Sequence, residues 1–220
     1  MEYSIKEIVR IIGAQANNLQ DSTISILLTD SRRLSFPEQS LFFALKTKTN
    51  DGHRYIKELY KLRVRNFVVS EMLPEFESLG EANFLVVKDT LKALQKLATH
   101  HRKQFNIPVI GITGSNGKTI VKEFLYQLLH KEFNIVRSPR SYNSQLGVPL
   151  SVWQISDKNT LGIFEAGISQ PDEMENLRPI ISLTIGVITN IGEAHQENFI
   201  STTQKCLEKL TLFNECEAII

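Results

Sequence analysis

Gly111–Phe124 reads GITGSNGKTIVKEF. An apolar, β-branched run, Pro108–Thr113, enters this stretch, and a polar turn with two glycines interrupts it. A helical pattern then starts at Lys118-Thr119. Strand, glycine turn, Lys-Thr and helix together make a phosphate-binding loop. Small residues let backbone N–H groups turn inward around phosphate oxygens, and the helix N-terminus adds a favourable dipole. Gly114, Ser115, Asn116, Gly117, Lys118 and Thr119 are the expected nucleotide contacts. Lys118 is long enough to reach β- and γ-phosphates, and the Thr119 hydroxyl suits Mg2+. The common template, G-x-x-x-x-G-K-[ST], requires glycine at position 112, which is Ile112 here. That departure argues against the commonest ATPase and GTPase form, not against binding.

Outward from the loop, strand-like and helix-like segments alternate. The strand-like ones are TISILLTDSRR, SLFFAL, VRNFVVS and ANFLVVKD, then PVIGITG, LGIFEAG, LTIGVITNIG and the closing EAII. The helix-like ones are SIKEIVRIIG, DGHRYIKELYKLR, DTLKALQKLATHHRKQF, SNGKTIVKEFLYQLLHKEF, DEMENLRPII and STTQKCLEKLTLF. In the helix after the loop, Val121, Leu125 and Leu128 are expected to face inward. In the segment after Asp89, Leu91, Leu94, Leu97, Ala98 and His101 share a face, and Asp89 is the expected N-cap. This alternation predicts an α/β fold with mostly parallel sheets and helices on both faces. A small N-terminal α/β domain, 1–104, precedes a phosphate-loop domain, 105–220, with the boundary near 104–108.

In such sheets ligands gather at the carboxyl ends of strands. Glu165, at the end of LGIFEAG, is therefore a natural Mg2+ ligand. His195, in TNIGEAH just beyond another apolar strand, falls on the same side. Two metal-bearing loops beside a phosphate loop would suit Mg2+ ions around ATP and an acceptor oxygen.

Composition bounds the alternatives. A net charge of +1 over 220 residues gives no electrostatic case for nucleic acid. No run reaches the roughly 18 apolar residues of a membrane span. The start, MEYSIKEIVRIIG, is not a secretory signal. Two cysteines, Cys206 and Cys216, have no metal-ligand spacing and are expected as reduced thiols in a cytoplasmic protein. The ending NECEAII, apolar and uncapped, is read as a cut at or near a strand, so the chain is expected to be an N-terminal piece of a longer protein.

With these residues in place, the chain resembles the Mur ligase family, the ATP-dependent amide-forming enzymes of peptidoglycan precursor synthesis. The family's phosphate loop, T-G-[TS]-x-G-K-T, matches TGSNGKT at Thr113–Thr119, which accounts for the misfit at Ile112. Its strand-end glutamate matches Glu165 in FEAGIS, and its T-N-[IV]-x-x-x-H motif matches TNIGEAH. The resemblance implies Mg2+ on Glu165 and His195 and a carbamylated lysine at Lys209, about fourteen residues past His195. A carbamate converts a cationic lysine into an anionic oxygen ligand. Lys118, His195 and Lys209 are the implied catalytic residues.

The N-terminal TDSRRLSFPEQSLFFAL and DGHRYI resemble the UDP-binding domain of later family members, with Asp30, Ser31 and Arg32 matching its diphosphate or uracil loop. SYNSQLGVPLS, Ser141–Ser151, matches a segment beside the muramoyl substrate, which implicates Asn143 and Ser144. Lys122-Glu123 after the loop points to the member that joins D-alanyl-D-alanine to UDP-N-acetylmuramoyl-tripeptide. A cytoplasmic monomer using ATP and Mg2+ is implied, and some relatives carry a fused alanine racemase. The alternatives are the preceding diamino-acid-adding ligase, folylpolyglutamate synthase, an ordinary phosphate-loop kinase and a non-catalytic nucleotide-binding fragment. Departures from the family pattern are Ile120 for a second threonine, Ser144 for asparagine, Lys46-Thr47 for lysine-glycine and Thr211 for an acid.

Overall fold

The computed structural model describes residues 1–16, 19–192 and 198–220. It divides into two compact units, 1–97 and 98–220. The division falls between Leu97 and Ala98, earlier than the 104–108 boundary expected from sequence. Helix Thr90–Arg102 runs through that point, and its last turn belongs with the second unit. There the His101 ring nitrogen Nε2 lies 3.0 Å from the Ile155 carbonyl.

In the first unit, β1 (Tyr3–Ser4) pairs antiparallel with β2 (Thr23–Ile24). Helix α1 (Ile5–Ile12) lies between them in sequence. Ser4 and Glu7 form a reciprocal capping box, and Gly13, at φ 70°, ends the helix in the left-handed region that favours glycine. The expected strand TISILL is thus split between β2 and β3 (Ile26–Leu28). β3, β4 (Ser40–Phe43), β5 (Asn66–Val69) and β6 (Asn83–Val86) form a wholly parallel sheet in that order. The DGHRYIKELYKLR segment begins as a 3-10 turn, Gly52–Tyr55, and continues as α2 (Ile56–Lys61). One face of the sheet packs Phe42, Phe67 and Val69 against Ile56, Leu59 and Phe76. The alternate residues Leu41, Val68 and Leu85 are also buried. Alternation that is apolar on both faces is the signature of a covered parallel sheet.

α3 (Thr90–Arg102) buries Leu94, Leu97, Ala98 and His101, while Leu91 is half-buried. The second unit's sheet has the order β11-β10-β7-β9-β8, all parallel. Its strands are β7 (Val109–Thr113), β8 (Ile135–Arg137), β9 (Leu161–Glu165), β10 (Ile185–Ile188) and β11 (Ala218–Ile219). The helices α4 (Lys118–Leu129), α5 (Gly147–Val152), α6 (Glu173–Ile181) and α7 (Thr202–Leu210) connect them. On one face Ile110, Ile112, Leu161 and Ile163 pack with Val121 and Leu125 of α4. On the other, Val109 and Phe164 join Val148 and Val152 of α5 and Met174, Leu177 and Ile181 of α6. Both faces are therefore covered, as the strand–helix alternation requires. Leu128 corrects the sequence reading: it is 74% exposed. The inward stripe of α4 runs through Val121, Leu125 and Leu129, one position off. Among the described residues, no helix is long and apolar enough to cross a membrane.

Candidate functional site

Register decides what meets at the carboxyl edge of the second sheet. Ile112 of β7 pairs with Glu165 of β9, and Thr113 of β7 pairs with Ile188 of β10. The loop 114–117, the Glu165 side chain and Thr189 therefore leave three adjacent strands at one level. The Thr113 hydroxyl donates to the Ala166 carbonyl at 2.9 Å and locks the two central exits together.

The loop needs its glycines. Gly114 has φ 142°, and a Cβ there would lie 2.0 Å from Thr189 Oγ1. Gly117 has φ 82° and sits at the N-cap of α4. L-side chains rarely adopt these angles, so both positions are fixed by backbone geometry. Segment 189–192 holds the loop from one side. The Asn190 carbonyl accepts the Ser115 N–H at 2.8 Å, and its side-chain Oδ1 accepts the Asn116 N–H at 3.0 Å. The Gly192 N–H donates to Ser115 Oγ at 2.9 Å, and the Thr189 hydroxyl donates to the Asn116 carbonyl at 2.5 Å.

Three lysines converge on this loop. Lys118 Nζ donates to the Gly114 carbonyl at 2.7 Å, and Lys209 Nζ reaches the same oxygen at 3.3 Å. Lys205 donates to the Gly192 carbonyl. Lys205 and Lys209, both on α7, are 1% and 2% exposed. The hydrogen-bond acceptors of all three among the described residues are backbone carbonyls. Burial therefore dominates at Lys209. It pushes the Lys209 amine down to about 8, with the charges of Lys118 and Lys205 pushing the same way and Glu208 opposing. Lys118 is also lowered by burial, against the pull of Glu165.

Glu165 is fully buried at the end of β9. Its Oε2 accepts from the Thr119 hydroxyl at 3.1 Å and from the Asn143 amide at 3.5 Å. Its Oε1 lies 3.0 Å from Lys122 Nζ. The three donors of that ammonium have other acceptors within reach: Ser138 O at 2.8 Å, Arg140 O, and Glu123 Oε1 at 3.3 Å. Oε1 is thus ion-paired yet receives no hydrogen bond. With Oε1 held against Lys122, the side of the buried carboxylate that fits a hard divalent cation is Oε2, beside the Thr119 hydroxyl at the N-terminus of α4. Among the described residues no group of three or more His, Cys, Asp or Glu could hold a metal. Mg2+ commonly takes one or two protein oxygens and fills its octahedron with phosphate and water.

The remaining sequence candidates divide. Asn143 is at the site. Ser144 is not aimed at Glu165; its hydroxyl accepts the Gly147 N–H at 3.1 Å at the start of α5. Asp30, Ser31 and Arg32 belong to the first unit. Asp30 caps the 3-10 turn Ser31–Arg33 and grips the Arg32 guanidinium at 2.9 and 2.8 Å. The Arg32 hydrogen bond holds the Asp30 carboxyl below its usual range. His195 lies outside the described residues. Sequence reasoning passed over Ser141, whose Oγ is 3.4 Å from Thr119 Oγ1, and the latch residue Asn190. It used Lys122 only as a marker. The recoverable signal was spacing, since Lys118 and Lys122 stand four apart on one helix and share a face.

A parallel sheet with a glycine loop, Lys-Thr and a strand-end carboxylate at its carboxyl edge defines a phosphate-loop domain. Residues 112–220 match the Mur ligase middle domain, and the chain belongs to the Mur ligase family. The UDP-N-acetylmuramoyl-tripeptide–D-alanyl-D-alanine ligase of Bacillus subtilis (strain 168) is 30% identical over 213 residues, covering 96% of this chain and 46% of that protein. Its counterpart in Borreliella burgdorferi is 33% identical over 223 residues, covering 95% and 47%. The crystal structure of MurF from Acinetobacter baumannii superposes with a TM-score of 0.89 at 25% identity, covering 98% of this chain and 47% of that one. The MurF ligase of Thermotoga maritima in complex with ADP gives 0.76 at 25% identity, covering 88% and 45%. The chain spans about half the length of the curated relatives it matches.

Proposed function

We propose that this chain carries the nucleotide-gripping part, and the N-terminal substrate unit, of an ATP-dependent ligase that adds D-alanyl-D-alanine to UDP-N-acetylmuramoyl-tripeptide. The observation that carries the reading is Glu165. Its Oε2 lies within 3.1 Å of the Thr119 hydroxyl and 3.5 Å of the Asn143 amide, so it joins the phosphate loop to the segment that in the family lies by the muramoyl substrate.

In this reading a carboxylate oxygen of the tripeptide attacks the γ-phosphorus of ATP, ADP departs and an acyl phosphate forms. The dipeptide amine attacks the acyl carbon, the tetrahedral adduct loses a proton, and phosphate is expelled. Lys118 and the helix N-terminus balance charge on the transferred group, so catalysis is mainly positioning and electrostatics. Mg2+, when bound, supplies further charge neutralisation, with Thr119 and Glu165 as its protein oxygens and His195 as the implied partner. Lys209, whose amine is buried and lowered to about 8, has the neutral fraction that carbamate formation with CO2 requires. Residues 1–104 serve as the UDP-muramyl domain, with Asp30, Ser31 and Arg32 on the diphosphate or uracil and Ser144 ordering the muramoyl segment. The whole protein is expected to be a monomer.

The test uses a longer natural chain that carries these residues. Multiple-turnover ADP release should require both the tripeptide substrate and D-alanyl-D-alanine, and Lys118→Ala should abolish it. Multiple-turnover build-up of a stable phosphorylated acceptor without the dipeptide would move the reading to a kinase.

A further inference from the structure

Lys122 is charged, sits on α4 and is 0% exposed, yet the chemistry above does not use it. Burying an ammonium without specific partners is strongly unfavourable, so its position needs an explanation. Its surroundings supply one. The ammonium is 3.0 Å from Glu165 Oε1 at the end of β9 and donates to the carbonyls of Ser138 and Arg140, just past β8. Ser138 returns to the same strand end, because its hydroxyl accepts the Glu165 N–H at 3.1 Å. Arg140, at φ 50°, is held in the left-handed region where a non-glycine residue is strained, immediately before Ser141 and Asn143. One cation therefore ties together the nucleotide helix, the strand-end carboxylate and the entry to the segment carrying Asn143. It also occupies one side of the carboxylate, which turns Oε2 toward Thr119.

We propose that Lys122 is a positioning residue for Glu165, fixing the direction of the metal-holding carboxylate relative to the phosphate loop. The proposal rests on the reading of Glu165 as an Mg2+ ligand. Residues behind metal ligands typically change metal affinity by roughly 10- to 100-fold when removed. A role confined to folding would instead weaken all nucleotide binding together.

The experiment measures ADP binding to this chain by calorimetry, first in EDTA and then across an MgCl2 titration, for wild type, Lys122→Met, Lys122→Arg and Glu165→Gln. Lys122→Met should retain ADP affinity in EDTA within about twofold, while the Mg2+ needed for half of the Mg2+-dependent gain rises about tenfold or more. An unchanged Mg2+ midpoint, or equal losses with and without Mg2+, overturns the proposal. If Lys122→Met does not fold, Lys122→Arg decides, because it keeps the buried charge but places the nitrogens differently. A raised Mg2+ midpoint with metal-free affinity retained supports positioning, and a wild-type midpoint overturns it. Glu165→Gln separates the two layers of the argument. If it leaves the Mg2+ titration unchanged, the reading of Glu165 fails. If it raises the midpoint and the Lys122 variants do not, only the Lys122 proposal fails.

Discussion

The Thr119 hydroxyl donates to Oε2 of Glu165 at 3.1 Å, joining the first turn of α4 to a strand end 46 residues away. Both oxygens are hard donors, and they meet because β7 and β9 are in parallel register at Ile112 and Glu165. Thr119→Val keeps the shape and removes the hydroxyl. It should leave metal-free ADP binding nearly intact and lower the Mg2+-dependent component by about tenfold or more, read by calorimetry with and without EDTA. Equal Mg2+ responses in the two proteins would remove Thr119 from the site.

Gly114→Ala should damage the loop through geometry alone. The added methyl group meets Thr189 Oγ1 at 2.0 Å, and the backbone stays at φ 142°. Removing the hydroxyl in Gly114→Ala/Thr189→Ala relieves the collision but not the backbone strain, which costs about 1–3 kcal/mol. The double variant should therefore regain part of the lost thermal stability and fall short of wild type. Full recovery would show that the clash, not the φ angle, dictates glycine.

Lys209 should take up CO2 more readily than an ordinary lysine. With its amine lowered to about 8, about a tenth is neutral at pH 7, against well under a thousandth for a lysine at its usual value. Carbamate formation consumes the neutral amine, so uptake should rise with pH through 8 and then level. With 13C-bicarbonate, a carbamate resonance is expected in wild type and absent in Lys209→Ala. The same resonance persisting in the variant would assign it elsewhere.

The second unit should lose stability in mild acid through His101. Burial pushes this imidazole from 6.5 down to about 4, so the folded form stays neutral where the unfolded chain takes up a proton. Stability is complete above pH 6.5 and falls as pH drops toward 4, by about 1.4 kcal/mol per pH unit within that window. Trp153, the only tryptophan, has its ring 4.6 Å from His101 and reports the transition by fluorescence. His101→Gln should flatten the slope between pH 6.5 and 4. An unchanged slope would place the acid sensitivity on other groups.

Arg102 is a second built-in staple, giving hydrogen bonds to the carbonyls of Ile181, Phe105, Ile107 and Ser182 at 2.7–3.2 Å. Arg102→Met removes all of those donors at once. Unpaired buried carbonyls cost roughly 1–3 kcal/mol each, less where water can enter, so a loss of about 3 kcal/mol or more is expected in urea unfolding followed at Trp153. A change below about 1 kcal/mol would mean that water replaces the guanidinium.

Legibility followed locality. The phosphate loop, Glu165 and the covered parallel sheets could be read from short stretches, because strand, turn and helix signals there concern neighbours in sequence. Leu128 was misplaced because Leu128 and Leu129, at i+7 and i+8 from Val121, both fit a helical stripe, and α4 turns its Val121–Leu125–Leu129 stripe to the sheet. Ile120 replaces a threonine of the family pattern and is 61% exposed, unlike the buried Lys122 and Glu165. Helical spacing marks Lys122 as sharing a face with Lys118, but the contacts that hold Lys122 and Asn190 in place come from partners 16 to 75 residues distant.

On the proposed reading, Asn190 gives the glycine loop an internal substitute for a phosphate. Its two oxygens already receive the Ser115 and Asn116 N–H groups, which a phosphate would otherwise claim. Nucleotide capture at these amides would then be an exchange of acceptors rather than the first use of free donors. Such an exchange would lower the net gain on entry and give a departing phosphate a ready replacement.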